Sequence, residues 1–341
     1  MKSLAGLASG GLFIGVLIPG AALVILGIYY LMQGNPSAAP MDAQHIFPEW
    51  AGIASLVLVV NNFLSYSGME MNAVHVGQLR KPGSEFPKAM FLAMALVLVI
   101  FILPALAISW VVPAEQLSLT AGLMQAFEGF LNAFGIGFLT PVFALMIICA
   151  SLAGMLTWLA GPSKGLLLIG RQQGYLPPSL QKLNKNGIQQ NILVAQGVVT
   201  TIIALLYAFV PSVSSAYWIF SVMTTQVYLI MYILMFIAAI KLRKKEPDHP
   251  RGYLAPALTL LCLVGMLSSA AALLIGFVPP SQAGATNPGL YFLIVMSGVV
   301  IVGLVIPALF YFLRKPHWKT EAAGDDAEVV EAEIKEEVKD E

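Results

Sequence analysis

Apolar residues run along this chain in long blocks separated by short polar stretches, and only a few places show the three-to-four-residue alternation of a surface helix. A helix that crosses a bilayer needs about 20 mostly apolar residues, because the hydrocarbon layer is about 30 Å thick and each residue rises about 1.5 Å. Windows free of Asp, Glu, Lys and Arg over 3–41, 50–69, 89–114 and 129–163 each hold one such span. Two further windows, 186–240 and 252–313, are twice as long and must fold back. Each carries a breaker near its middle: Pro211-Ser212-Val213-Ser214-Ser215 in the first, and Val278 to Gly284 with Asn287-Pro288-Gly289 in the second. The pattern predicts eight transmembrane helices, at about 8–33, 50–78, 89–112, 139–161, 190–210, 215–240, 256–278 and 290–313. The first span is preceded by Lys2 and followed by Ser37-Ala38-Ala39, but its apolar length exceeds that of a signal peptide.

The fold class this implies is all-α, a polytopic membrane bundle over residues 1–313 with a cytoplasmic acidic tail over 314–341. Two segments are not spans. Leu123, Met124, Phe127, Phe130, Leu131 and Phe134 recur at helical spacing and predict a short amphipathic helix lying on the outer surface. After Lys319 come ten acidic residues, two lysines and no aromatic, which reads as a solvated tail.

Composition sharpens this picture. Apolar residues make up 58% of the chain and charged ones 11%, against roughly a quarter charged in a soluble domain, so a water-soluble globule is excluded. Eighteen cations balance eighteen anions, which gives no support to a nucleic-acid partner. The placement of the cations is informative: the connections 34–49, 113–138, 211–215 and 279–289 contain no Lys or Arg, and all eighteen cations fall in the alternate connections or at the ends. By the positive-inside rule both termini are cytoplasmic, with the lipid bilayer as solvent for the spans. Cys149 and Cys262 sit in apolar runs without metal-ligand spacing, so no metal and no cofactor are expected. No phosphate-binding glycine loop, zinc motif or nucleophile constellation is present, which argues against an enzyme.

With the loops subtracted, Glu70 is the one formally charged residue inside a predicted span. A carboxylate at that depth costs about 3 kcal/mol on insertion scales, and is normally paired, protonated or turned to a water-filled cavity. It follows Ser65-Tyr66-Ser67-Gly68-Met69, where two hydroxyls and a glycine weaken a helix interior. Together these predict a discontinuous helix whose first half ends near Ser67. Its open carbonyls would face a cationic ammonium, and free amides near Met69 and Glu70 would start a second half. The alternative is an unbroken helix with Gly68 at a tight crossing and Glu70 bonded to a neighbour.

Other features are weaker. His75, five residues after Glu70, points about 140° away on an α-helix, so it reads as an interfacial or core histidine rather than a proton relay. Gly11 and Gly15 permit close helix packing. Gly161-Pro162-Ser163-Lys164-Gly165 reads as a helix stop at the cytoplasmic interface, with Trp158 as its aromatic anchor. Tyr228 and Tyr232 share one face of the sixth span, as cavity lining or as packing.

The stretch Phe63-Leu64-Ser65-Tyr66-Ser67-Gly68-Met69-Glu70-Met71-Asn72-Ala73-Val74-His75-Val76, with Lys81-Pro82-Gly83-Ser84-Glu85-Phe86-Pro87-Lys88-Ala89, resembles the sixth helix and following loop of amino-acid permeases of the APC superfamily. Thr157 to Gly165, Leu176-Pro177-Pro178 and Leu183-Asn184-Lys185-Asn186-Gly187 are similar to the glutamate/GABA antiporter branch, although Gly154 stands where that branch carries an acidic residue. The resemblance implies a LeuT-like inverted-repeat fold of which this chain supplies helices five to twelve, without the first four. It implies amino-acid antiport by alternating access, with glutamate, GABA or a related amino acid as substrate. Ser65, Tyr66, Ser67 and Gly68 match the broken sixth helix, Glu70 the gating or proton-coupling carboxylate, Trp158 the aromatic over the substrate, and Tyr228 and Tyr232 the tenth-helix wall. It also leaves an alternative, a truncated or split-gene fragment that transports only when a partner chain supplies the missing helices.

Overall fold

A computed structural model describes residues 2–40, 42, 52–118, 120–206, 213–279 and 287–320. The acidic tail beyond 320, the breaker at Pro211-Ser212 and residues 280–286 of the last outer connection lie outside the described residues. Helix is the only regular structure among those described: α1 (Lys2–Leu12), α2 (Ile18–Met32), α3 (Ile53–Ser65), α4 (Pro82–Val111), α5 (Gly122–Ala133), α6 (Thr140–Gln173), α7 (Gln190–Leu206), α8 (Val213–Lys245), α9 (Leu258–Ile275), α10 (Pro288–Val300) and α11 (Ile306–Leu313). Six stretches are long and apolar enough to cross a membrane: Ser9–Met32, Pro82–Val111, Gly137–Gln173, Ser215–Lys245, Leu258–Ile275 and Pro288–Leu313. Of the other two predicted spans, one is the shorter apolar helix α7, which ends where the description stops. The other is divided into α3 and a ten-residue 3₁₀ helix, Met69–Gln78.

Two of the six carry a π-helical turn, Phe13–Leu17 between α1 and α2 and Ile301–Val305 between α10 and α11. Each turn comes just before a proline, Pro19 or Pro307. A proline has no amide to donate and its ring collides with the carbonyl four residues back, and the widened turn relieves both faults without ending the helix. The same residue type does not stop α6. The predicted stop at Gly161–Gly165 is absent, and the helix runs through Pro162 to Gln173, ending before Gly174 at φ 71°.

The chain divides into two compact units. The first comprises Met1–Trp50 and Met94–Ala160. In it Gly11 and Gly15 meet α6 so closely that a methyl at either would collide with Ala153 or Ala150, which gives the glycine pair its packing role. Helix α5 forms as its apolar spacing predicts, but its face is not left for lipid. Ala126, Phe127, Phe130 and Leu131 are buried against Leu23 and Ala107, and the Phe127 ring stacks on Phe143 at 4.4 Å.

The second unit comprises Ala51–Ala93 and Gly161–Glu341, with α8 at its centre. Val57 of α3 packs with Trp218 and Val222 of α8 and with Tyr291 and Val295 of α10. Farther along, Val60 packs with Leu229 of α8 and Ala272 of α9. The contacts advance together in residue number, so α3 and α8 run in the same direction and the end of α3 arrives beside Tyr232.

Candidate functional site

Helix α3 ends at Ser65 and the chain does not resume helical turns until Met69. The ending is local chemistry: the Ser67 hydroxyl and amide both donate to the Leu64 carbonyl, at 2.8 and 3.2 Å, and the Tyr66 amide donates to Asn62. Gly68 then adopts φ 101°, a left-handed conformation that an L side chain would resist. The discontinuity predicted from the sequence is therefore present. Its wiring differs from the expectation, because the Leu64 and Asn62 carbonyls are satisfied within the turn instead of facing outward. The second half differs too: Met69–Gln78 winds as a 3₁₀ helix, a form that seldom lasts more than a turn and often marks a hinge.

The amide turned toward the carboxylate belongs to Gly68. It lies 3.1 Å from Glu70 Oε2 and 3.2 Å from the Tyr232 hydroxyl, and that hydroxyl donates to the same Oε2 at 2.9 Å. Glu70 thus closes a small ring of polar atoms at the start of the 3₁₀ segment, where a negative charge meets the positive end of the peptide dipoles. Its other oxygen, Oε1, is buried and has no hydrogen-bond partner, and no ion pair to Glu70 occurs among the described residues. The carboxylate is half satisfied: one oxygen is fixed by two donors, and the second is withdrawn from water with nothing to accept.

Tyr228 lies one turn before Tyr232, with ring centroids 5.9 Å apart, and its hydroxyl donates to Met71 Sδ at 3.6 Å. The two tyrosines therefore clasp the start of the 3₁₀ helix from the α8 side. Beside them a cavity of about 510 Å³ is lined by Asn62, Phe63, Tyr66, Tyr232, Ser268 and Ser269, among others. Ser65, Tyr66, Ser67, Gly68, Glu70, Tyr228 and Tyr232 are thus assembled within one unit. Trp158, on α6 and 45% exposed, belongs to the other unit.

Three residues here, Met71, Ser268 and Ser269, were not singled out from the sequence. Met71 offers only a soft acceptor that composition does not flag. Ser268 and Ser269 were legible as adjacent hydroxyls in an otherwise apolar span. His75, which the sequence did flag, has its Nδ1 3.3 Å from Lys164 Nζ. In a 3₁₀ helix it points about 120° from Glu70, where an α-helix would give about 140°.

Residues 1–303 match the family profile described as amino acid permease. The chain is 35% identical to an uncharacterised transporter of Legionella pneumophila over 88% of its own length and 65% of the relative's. It is 29% identical to the glutamate/gamma-aminobutyrate antiporter of Lactococcus lactis over 91% of its length and 63% of the relative's. A probable agmatine/putrescine antiporter of the same species is 23% identical over 59% of this chain and 42% of its own. The chain thus spans a little under two thirds of the length of the first two of these curated relatives. With its apolar helices and its matched family profile, the chain is an integral membrane protein and belongs to the amino acid permease family.

Proposed function

We propose that this protein exchanges amino acids across a prokaryotic plasma membrane, with both termini cytoplasmic, and that glutamate and GABA are its substrates. Family membership supports amino-acid transport, and the two Lactococcus lactis relatives, each 29% identical and named glutamate/gamma-aminobutyrate antiporters, support the substrate pair. The observation that carries the reading is the half-satisfied Glu70 carboxylate at a helix break. A break in the helix beside an acid with one unpartnered buried oxygen supports a place for a zwitterion, or for the proton that accompanies it.

In this reading Ser65, Tyr66, Ser67 and Gly68 form the substrate-facing turn, and Tyr228 and Tyr232 its wall. Glu70 is the gate. Holding Gly68 and Tyr232 on Oε2 locks the break in one arrangement, and protonation or an approaching ammonium at Oε1 would weaken that lock and let the half-helices shift between outward and inward access.

Counterflow tests this directly. Proteoliposomes loaded with GABA should take up external labelled glutamate, and Glu70→Gln should cut the rate by about tenfold or more and flatten its pH dependence. The same reconstituted yield and elution profile should be retained. Unchanged exchange and an unchanged pH profile in the variant would reject the role of Glu70, and uptake with no dependence on internal amino acid would reject antiport.

A further inference from the structure

The chain after the last helix is fastened. The Lys315 amide donates to the Gly174 carbonyl at 3.1 Å, the Thr320 amide to Arg171 at 3.2 Å, and Gln181 Nε2 to the Trp318 carbonyl at 2.7 Å. This returns residues 314–320 under the end of α6 and fixes two cations in place. The guanidinium carbon of Arg314 stands 4.2 Å above the Tyr311 ring, and Lys315 Nζ lies 5.2 Å from the Trp318 ring. Both side chains are exposed, and neither has a carboxylate partner among the described residues. An aromatic face positions a cation without neutralising it.

Tyr311 has a second role. It walls an apolar groove of about 770 Å³ between the C-terminal part of α6 and α11, with Leu166, Ile169, Tyr175, Pro307 and Phe312 among the other walls. Its ring lies 6.4 Å from that of Tyr175, another wall of the groove, and it carries the Arg314 guanidinium. Its walls are large, exposed side chains (Ile169 54%, Tyr311 48%, Phe312 79%) that leave a channel between the two helices.

We propose that this groove binds an anionic glycerophospholipid, with an acyl chain along the apolar walls and the headgroup phosphate on Arg314 and Lys315. An apolar slot beside cations that have no carboxylate partner among the described residues matches a molecule that is apolar at one end and anionic at the other. The inference does not depend on what the protein transports.

Native mass spectrometry of the full-length protein in mild detergent, titrated with phosphatidylglycerol or phosphatidylcholine of identical chains, tests it. Phosphatidylglycerol should bind about tenfold more tightly. The double variant Arg314→Gln, Lys315→Gln should bring the two lipids to within about twofold, with an unchanged thermal midpoint in lipid-free detergent. Equal affinities in the unmodified protein, or a preference that survives the double variant, would overturn the proposal. So would competition by chain-free glycerol phosphate at matching concentration, which would make this a site for a free anion. A preference that appears only after removal of residues 321–341 would assign the cations to the acidic tail and equally overturn it.

Discussion

Tyr232 and Gly68 share the work of holding Glu70, and they should fail in different ways. The Tyr232 hydroxyl donates to Oε2 while standing within reach of the Gly68 amide, so Tyr232→Phe removes one of two donors from a carboxylate that already has an unpartnered oxygen. A hydrogen bond to a charged group contributes about 1.5–3 kcal/mol, so exchange should fall by roughly ten- to a hundredfold with little loss of folded protein. Gly68→Ala keeps both donors but forces a side chain into φ 101°, at a cost of about 1–2 kcal/mol. That variant should lower the thermal midpoint as well as the exchange rate. A Tyr232→Phe protein that exchanges at the unmodified rate would remove Tyr232 from the site. At this scale much was readable beforehand: a lone acid inside a span and a Ser-Tyr-Ser-Gly run mark the place from residue type alone. The partner of the acid was not, because Gly68 and Tyr232 are brought together only by the register of α3 on α8.

Helices in this protein are set by where glycine and proline fall. Gly15 rests on Ala150 and the Met146 carbonyl, so Gly15→Leu must push α6 aside and should destabilise the protein by about 1–3 kcal/mol, seen as a lower unfolding midpoint in detergent. Gly197→Ala, in α7 with open space around the position, should leave the midpoint unchanged or raise it. Equal effects of the two substitutions would show that the Gly11–Gly15 contact does not hold the first unit together. The elements also show why hydropathy marks where long apolar helices form and not where they end. Long charge-free blocks leave helix as the way to satisfy backbone polar groups in lipid. Whether Pro162 ends a helix or is carried through it depends on packing that sequence does not display, and here it is carried through to Gln173. The 3₁₀ winding of Met69–Gln78 is a second case, since nothing in Met-Glu-Met-Asn-Ala distinguishes it from α-helix.

For the molecule as a whole, the distribution of cations predicts an orientation that can be read chemically. In a background where Cys149 and Cys262 are replaced, a cysteine at Ala38 should react with a membrane-impermeant maleimide added outside intact cells, and one at Asp248 only after permeabilisation. The reverse pattern would invert the orientation assigned to both termini. The membrane class was legible from hydropathy, and the family from the residues flanking Glu70 and Trp158. The packing of α5 was not, because an apolar helical face reads the same whether lipid or Phe143 covers it. Transport as proposed requires that an amino acid sit at the break at Ser65–Gly68. A structure of the protein determined with GABA or glutamate bound tests that most directly. It should show the ligand against the Ser65–Gly68 turn, within hydrogen-bonding distance of Glu70 or Tyr232. Ligand density elsewhere, with the turn and the Glu70–Tyr232 bond unchanged and nothing beside them, would contradict it.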